Sequence, residues 1–271
     1  MRKYVGQKNT FTKQKKYSSI GISAVGMNYF GDIVPSVNFA STKLAFTRPG
    51  VGVTLNHRFG PRYSFQIGFT YGRLESDDAQ VADPTGDNSK FRYIRNAQFR
   101  NDIYELSGMA VFDLFKNTSS YLARARWTPY VMVGVAGFYH NPKAKVPDTY
   151  VQTGAAFPEA GEWVALQPLG TEGQNADLLD TDANFGNKPY SLWQVAIPFG
   201  LGVRFAVGDA IDVSLDFAMR FTFTDYLDDV SKNYVDLGAL DSDLARALSD
   251  RSREPVAVIT GDARDLSAWS T

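Results

Sequence analysis

From Val51 to Arg73 large apolar side chains recur at every second position, with small or polar residues between them. Val51, Val53, Leu55, His57 and Phe59 alternate with Gly52, Thr54, Asn56 and Arg58. After Gly60-Pro61-Arg62, a set of turn-forming residues, Tyr63, Phe65, Ile67, Phe69, Tyr71 and Arg73 alternate with Ser64, Gln66, Gly68, Thr70 and Gly72. A period of two puts one set on each face of an extended strand, and a helix cannot accommodate it. The pattern returns from Trp193 to Phe205 and from Ile211 to Phe223, joined tightly by Gly208-Asp209. Weaker alternation over Ile20–Ala24, Tyr104–Leu114 and Trp127–Tyr139 gives seven strands.

The connections alternate as regularly as the residues. Two links are tight turns and one is of modest length, from Lys116 to Arg126. The intervening loops are long, running from Asp32 to Arg48, Glu75 to Asn101, Asn141 to Pro189 and Asp228 onward. In an up-and-down meander every short turn then falls at one end and every long loop at the other. This pattern predicts an all-β, up-and-down antiparallel transmembrane β-barrel of about eight strands with its long loops at one end. A soluble β-sandwich with a salt-bridged outer face is the competing fold. Mean hydropathy is −0.24, and the sequence has no run of the ~20 apolar residues a membrane helix requires. A spanning strand needs only ~9 to 11 alternating residues, so low hydropathy does not argue against a barrel.

The two faces differ in chemistry. One is bulky and apolar. The other mixes Gly, Ala, Ser and Thr with Arg58, Glu105, Asp113, Arg204, Asp212, Asp216 and Arg220. At ~8 strands the lumen is just filled by side chains, so these charges are expected to pair across a plugged interior. Tyr130, Met132 and Phe138 add bulk there, against a small-solute channel. Pro198 stands within a strand, where a bulge or register break is expected.

The 271 residues contain no Cys and only two His, His57 and His140, with a net charge of −1. Disulfides, thiolate chemistry and a His-based metal centre are thereby excluded or starved of ligands, and no bulk attraction to nucleic acid is expected. No cofactor and no small-molecule substrate is expected. Residues 1–17 read as a basic arm carrying Arg2, Lys3, Lys8, Lys13, Lys15 and Lys16, and 18–271 as the barrel. Met1-Arg2-Lys3 resembles the start of a signal peptide, but no apolar stretch follows it.

Among candidate site residues, His57 reads as interfacial and His140 as a rim residue lacking a recognisable nucleophile or orienting carboxylate. A barrel enzyme therefore stays a secondary alternative. Asp77, Asp78, Asp83 and Asp87 form an acidic loop without EF-hand spacing. Asp225, Asp228 and Asp229 read as a hydrated rim or as an ordered base for docking. In residues 227–271, a long loop, Leu240, Leu244 and Leu248 recur at helical spacing, and Pro255–Gly261 is a candidate short eighth strand.

Five segments carry a resemblance. They are Asn28-Tyr29-Phe30-Gly31-Asp32-Ile33, Phe69-Thr70-Tyr71-Gly72-Arg73, Pro129–Pro142, Ile197–Phe205, and Arg220–Asp236 with Phe221, Thr222, Phe223, Thr224, Asp225, Tyr226, Asp228 and Asp229 at its centre. Over roughly residues 18 to 236 the chain resembles the PorG family, small outer-membrane β-barrels of the type IX protein secretion and gliding-motility machinery of Bacteroidota. The resemblance implies a non-enzymatic outer-membrane anchor, surrounded by outer-membrane lipid, that docks periplasmic ring proteins of the PorK and PorN type. Candidate partner contacts are the basic arm at Lys13, Lys15 and Lys16 together with the short-turn residues Arg62 and Asp209. The family's closing strand, which ends in an aromatic residue, is not evident before Thr271.

Overall fold

A computed structural model describes residues 11–29, 33, 47–83, 86 and 89–266. Most of the arm, the centre of the first family segment (Phe30 to Asp32), Asp87 and the last five residues lie outside this set. The protein is an all-β antiparallel sheet with few helices. The strands are β1 (Tyr17–Met27), β2 (Arg48–Arg58), β3 (Tyr63–Asp77), β4 (Gln98–Asp113), β5 (Trp127–Tyr139), β6 (Pro142–Lys145), β7 (Trp163–Ala165), β8 (Trp193–Val207) and β9 (Ile211–Thr222). They pair in the order β1-β2-β3-β4-β5-β8-β9, while β6 pairs with β4 and β7.

The seven long strands are those the alternation indicates, with ends extended by several residues where the pattern fades. β1 starts at Tyr17, the last residue assigned to the arm, after a short 3-10 turn over Lys13–Lys15. The hairpins are tight. Leu55 faces Ile67 across β2–β3, and both Phe59 and Gly60 donate their N–H to the Tyr63 carbonyl. Val207 faces Ile211 across β8–β9, where Gly208 takes φ 65°, a left-handed conformation that glycine adopts without a Cβ penalty.

The sheet curls strongly. Its convex face carries exposed Ile20, Ile22, Leu55, Ile67, Leu106, Val133, Leu201, Leu215 and Phe217. On its concave side Met27 of β1 packs in one buried cluster with Leu74 of β3, Phe99 and Ile103 of β4, Phe138 of β5 and Ala196 of β8. A second cluster joins Met109, Val111, Tyr130 and Met132. Large apolar groups left in the open over so many strands are uncommon on a monomeric soluble surface.

Two sequence expectations need correction. Residues 255–261 do not form an eighth strand. They fold into a turn in which Gly261 N–H donates to the Ala257 carbonyl and Ala257 N–H to the Asp262 carbonyl, with one isolated bridge, Val256 to Ala263. The run buries only Ala257 and folds back on itself too soon to extend along a sheet edge. Pro198 introduces neither a bulge nor a register shift. Phe199 faces Val133 and Ala196 faces Ala136, positions in one continuous register, and only the pairs between them are lost. Proline removes a donor there, and the ladder on its other side runs unbroken through Pro198 opposite Arg220.

Among the described residues, those of the long loops after β3, β5 and β9 fold over one end of the sheet as a cap. It contains the helices α1 (Asp78–Val81), α2 (Lys90–Arg95) and α3 (Asp243–Ser249), and the β6–β7 hairpin. Ser242 caps α3 by accepting from the Ala245 N–H, and Asp77 caps α1 by accepting from the Ala79 N–H. The helical spacing of Leu244 and Leu248 serves this packing: Leu248 is buried in one cluster with Ala144 and Leu166, against which Leu244 packs, and Leu240 lies in an adjoining cluster with Val235 and Ala245. Among the described residues, no helix is long and apolar enough to cross a membrane.

Candidate functional site

On the concave face, charges contributed by separate strands are brought together. Arg58 of β2 donates through Nη1 to Asp113 Oδ2 of β4 at 2.9 Å, and Arg204 Nη1 of β8 lies 3.5 Å from Asp113 Oδ1. Arg220 of β9 grips Glu105 of β4 with Nε to Oε2 at 2.6 Å and Nη2 to Oε1 at 2.9 Å. Two expected members turn elsewhere. Asp216 accepts from the Tyr130 hydroxyl, and Asp212 binds Arg124 Nε at 2.7 Å, close to the short turn. Bidentate, charge-assisted pairs of this kind fix geometry strongly.

The candidate partner residues lie at the opposite end from the cap. Lys13 and Lys15 form the 3-10 turn before β1, with Lys16 next to it. Arg62 donates to the Leu114 carbonyl at 2.8 Å, and the Asp209 carbonyl accepts from Arg124 Nη1 at 3.0 Å. Arg124 also donates to the Gly208 and Ile211 carbonyls, so it pins the β4–β5 link to the β8–β9 turn. His57 is exposed on the convex face, where its Nδ1 is 2.9 Å from Ser18 Oγ.

At the cap the family segment threads into a buried polar network. Phe221 and Phe223 stack edge to face at 5.4 Å. Thr222 Oγ1 donates to the Thr224 carbonyl, and Thr224 Oγ1 accepts from the Tyr226 N–H. Asp225 accepts from Ser231 Oγ at 3.1 Å. Asp228 is buried and accepts from the Ile33 and Val230 N–H groups, both at 3.3 Å. Asp229, also buried, accepts from the Thr171 and Tyr190 hydroxyls. Its backbone sits at φ 66°, a left-handed conformation that persists for a non-glycine residue only where the surroundings hold it. Asp228 and Asp229 are therefore not a hydrated rim, and burial raises the Asp229 carboxyl to about 7.

Three rings stack beside it: His140 on Tyr190 at 5.9 Å and Tyr190 on Tyr226 at 4.5 Å, both nearly parallel. The His140 ring is buried. Its Nδ1 lies 3.5 Å from Asn101 Nδ2 and its Nε2 3.2 Å from the Ser191 carbonyl, and burial lowers it to about 4. These contacts hold a neutral ring in place and do not make a nucleophile–base pair. The acidic loop does not converge either. Asp77 caps α1, and Asp78 pairs with Arg95 at 2.7 Å. Among the described residues no group of three or more His, Cys, Asp or Glu side chains could hold a metal ion.

A cavity of about 180 Å³ opens next to this network. Its polar wall includes Gln98, Glu172, Lys232 and Arg251, and its apolar wall includes Ala144, Leu166, Val230 and Leu248. Glu172 Oε1 accepts from the Ser231 and Lys232 N–H groups, and burial raises the pKa of its carboxyl. Arg251 pairs through Nε and Nη2 with Glu254, which also accepts from Asn96 Nδ2 at 2.8 Å. Sequence reasoning missed Thr171, Glu172, Tyr190 and Arg251, since no local pattern marks a polar residue whose partner stands tens of positions away.

Residues 7–157 match a family model described as a domain of unknown function (DUF6089). The chain belongs to this family. The DUF6089 match covers β1 to β6, and with them Arg58, Glu105, Asp113 and His140, while β8, β9 and the Asp228–Asp229 pair follow it. No curated protein and no solved structure matches the chain.

Proposed function

We propose that this protein is a small outer-membrane β-barrel, PorG-like, that anchors and docks a type IX secretion machine through periplasmic ring proteins of the PorK and PorN type. The observation that carries the membrane reading is the division of the curled sheet into an exposed, bulky apolar convex face and a concave face of paired charges. That division suits lipid outside and a filled lumen inside. Seven antiparallel strands leave β1 and β9 unpaired with each other and pointing the same way, so an antiparallel barrel of eight takes one further strand running opposite to both, because open edges are not tolerated in lipid. Tyr130 and Met132 within the curl and the cap above it favour a non-conducting barrel.

Docking is assigned to the short-turn end, where the basic arm and the β4–β5 link offer more surface than the tight turns, and a standard interface needs about 800 Å² per partner. The test removes residues 1–16 and replaces Thr118–Leu122 with Gly and Ser, keeping Arg124, which holds the β8–β9 turn. Ring proteins should leave the outer-membrane fraction while the barrel stays folded. Retention of both ring partners and of cargo secretion would defeat the docking proposal.

A further inference from the structure

The convex face carries a feature that the anchoring role does not use. Tyr71 of β3, Tyr104 of β4, Tyr139 of β5 and Trp193 of β8 stand directly opposite one another across neighbouring strands. Their ring centroids follow at 5.1, 6.4 and 5.3 Å, an unbroken aromatic row on the long-loop side of the aliphatic band. Tyrosine and tryptophan hold such positions where hydrocarbon gives way to lipid headgroups. On the outer-membrane reading, on which this inference rests, the row marks the headgroup level of the outer leaflet.

The same face continues past the row, because β4 runs on to pair with β6, and β6 with β7. Its outward side chains change there from apolar to charged: Arg73, Asp102, Arg100, Lys143 and Lys145 are all half-buried, while Ala144, between the two lysines, is buried on the opposite side. The charges do not pair evenly. Arg73 holds Asp102 at 2.7 Å, which also accepts from the Tyr71 hydroxyl at 3.1 Å, and Arg48 holds Glu75 at 2.9 Å. Lys145 Nζ donates to the Val258 carbonyl at 3.2 Å. Arg100 stands directly opposite Lys143, and among the described residues neither is in an ion pair. Like charges at directly opposed positions destabilise a sheet. Trp163 lies against the Arg100 guanidinium, with Cζ 4.5 Å from the ring centroid, which fixes the cation without neutralising it. Two such cations beside each other call for an anion between them, and the anion held at this depth in a bilayer is a lipid phosphate. We propose that Arg100 and Lys143, backed by Trp163, bind a phosphate of a phosphorylated glycolipid of the lipid A class in the outer leaflet. Charge-assisted hydrogen bonds from both side chains suit a phosphate oxygen. The inference is independent of ring docking, since it uses only groups at the long-loop end.

The full chain is first inserted into neutral phosphatidylcholine vesicles. In neutral detergent it is then offered lipid A, the same glycolipid stripped of phosphate, and inorganic phosphate, and the bound lipid is counted by native mass spectrometry. Lipid A should bind saturably, and the stripped glycolipid about tenfold more weakly, the loss expected when charge-assisted hydrogen bonds are removed. Lys143→Gln and Arg100→Gln should each weaken lipid A by about tenfold, while Lys116→Gln, an exposed cation at the short-turn end, should change nothing. Should Arg100→Gln fail to fold, Lys143→Gln decides alone. Equal binding of the two glycolipids, or unchanged affinity in folded Lys143→Gln, would overturn the proposal, and insertion into vesicles would leave the membrane reading standing. Displacement of lipid A by an equal concentration of inorganic phosphate would overturn it too, in favour of a free-anion site. Failure to insert into vesicles would overturn both the proposal and the membrane reading.

Discussion

Arg220 on β9 and Glu105 on β4 meet in a two-pronged ion pair across the concave face, although two other strands separate them in the sheet. Glu105 is only 2% exposed, so the pair reports how tightly the sheet curls. Removing one partner strands a buried charge. Arg220→Ala, which leaves the buried Glu105 carboxylate without its partner, should therefore destabilise the fold by about 3–5 kcal/mol, whereas a double replacement of both by leucine should recover most of the loss. Urea titration in detergent or lipid, following the fluorescence of Trp127 and Trp193, measures both.

The convex face leads to a second expectation. Ile67 and Leu215 lie on it, exposed. If lipid covers that face, arginine at either position should cost about 2–4 kcal/mol near the midplane. Folding into vesicles of defined composition gives the value. Near-neutral substitutions there, with Thr70→Leu or Ser214→Leu abolishing folding, would mean the faces are reversed.

Asp229 should make the cap sensitive to pH. Its carboxyl is raised from 3.8 to about 7 by burial, so the folded protein holds a proton that the unfolded chain releases from about pH 4 upward. Its contribution to stability is whole below pH 4 and is lost as pH rises to about 7, at up to about 1.4 kcal/mol per pH unit. Asp229→Asn, which tolerates the left-handed backbone, should remove that slope. His140, lowered from 6.5 to about 4, acts in the opposite sense: its contribution is whole above pH 6.5 and is lost as pH falls to about 4. Comparing each variant with the parent from pH 4 to 8 separates the two.

Arg264 ties the end of the cap to α2. Its guanidinium donates to the carbonyls of Glu254, Tyr93 and Ile94 at 2.6 to 3.0 Å. Hydrogen bonds to charged groups contribute about 1.5–3 kcal/mol each at most. Arg264→Ala should open residues 250–266 to limited proteolysis many-fold while leaving the strands protected, as gel mobility with and without heating would show.

What the sequence makes legible divides along the same line. Strands such as β2, β3, β8 and β9 are readable because each residue's face follows from its parity, a local property. Even Pro198 is legible as an interruption, though the register survives it because its neighbours keep both ladders. The cap is opaque for the converse reason. Asp229 meets Thr171 from 58 positions away, and Arg264 meets Tyr93 from 171, so the sequence leaves Asp228 and Asp229 open between a hydrated rim and an ordered base until the loops that cover them are placed. Residues 255–261 share their apolar composition with a strand, and only the Gly261 turn, at φ 78°, distinguishes them.

The most direct test of the central claim is affinity purification of the tagged protein from detergent-solubilised outer membranes, with quantitative mass spectrometry of what accompanies it. The account predicts that the protein fractionates with the outer membrane and that ring proteins of the PorK and PorN type co-purify in constant ratio to it. Recovery in a soluble fraction, or from the outer membrane with neither ring protein enriched over a control barrel, would contradict it.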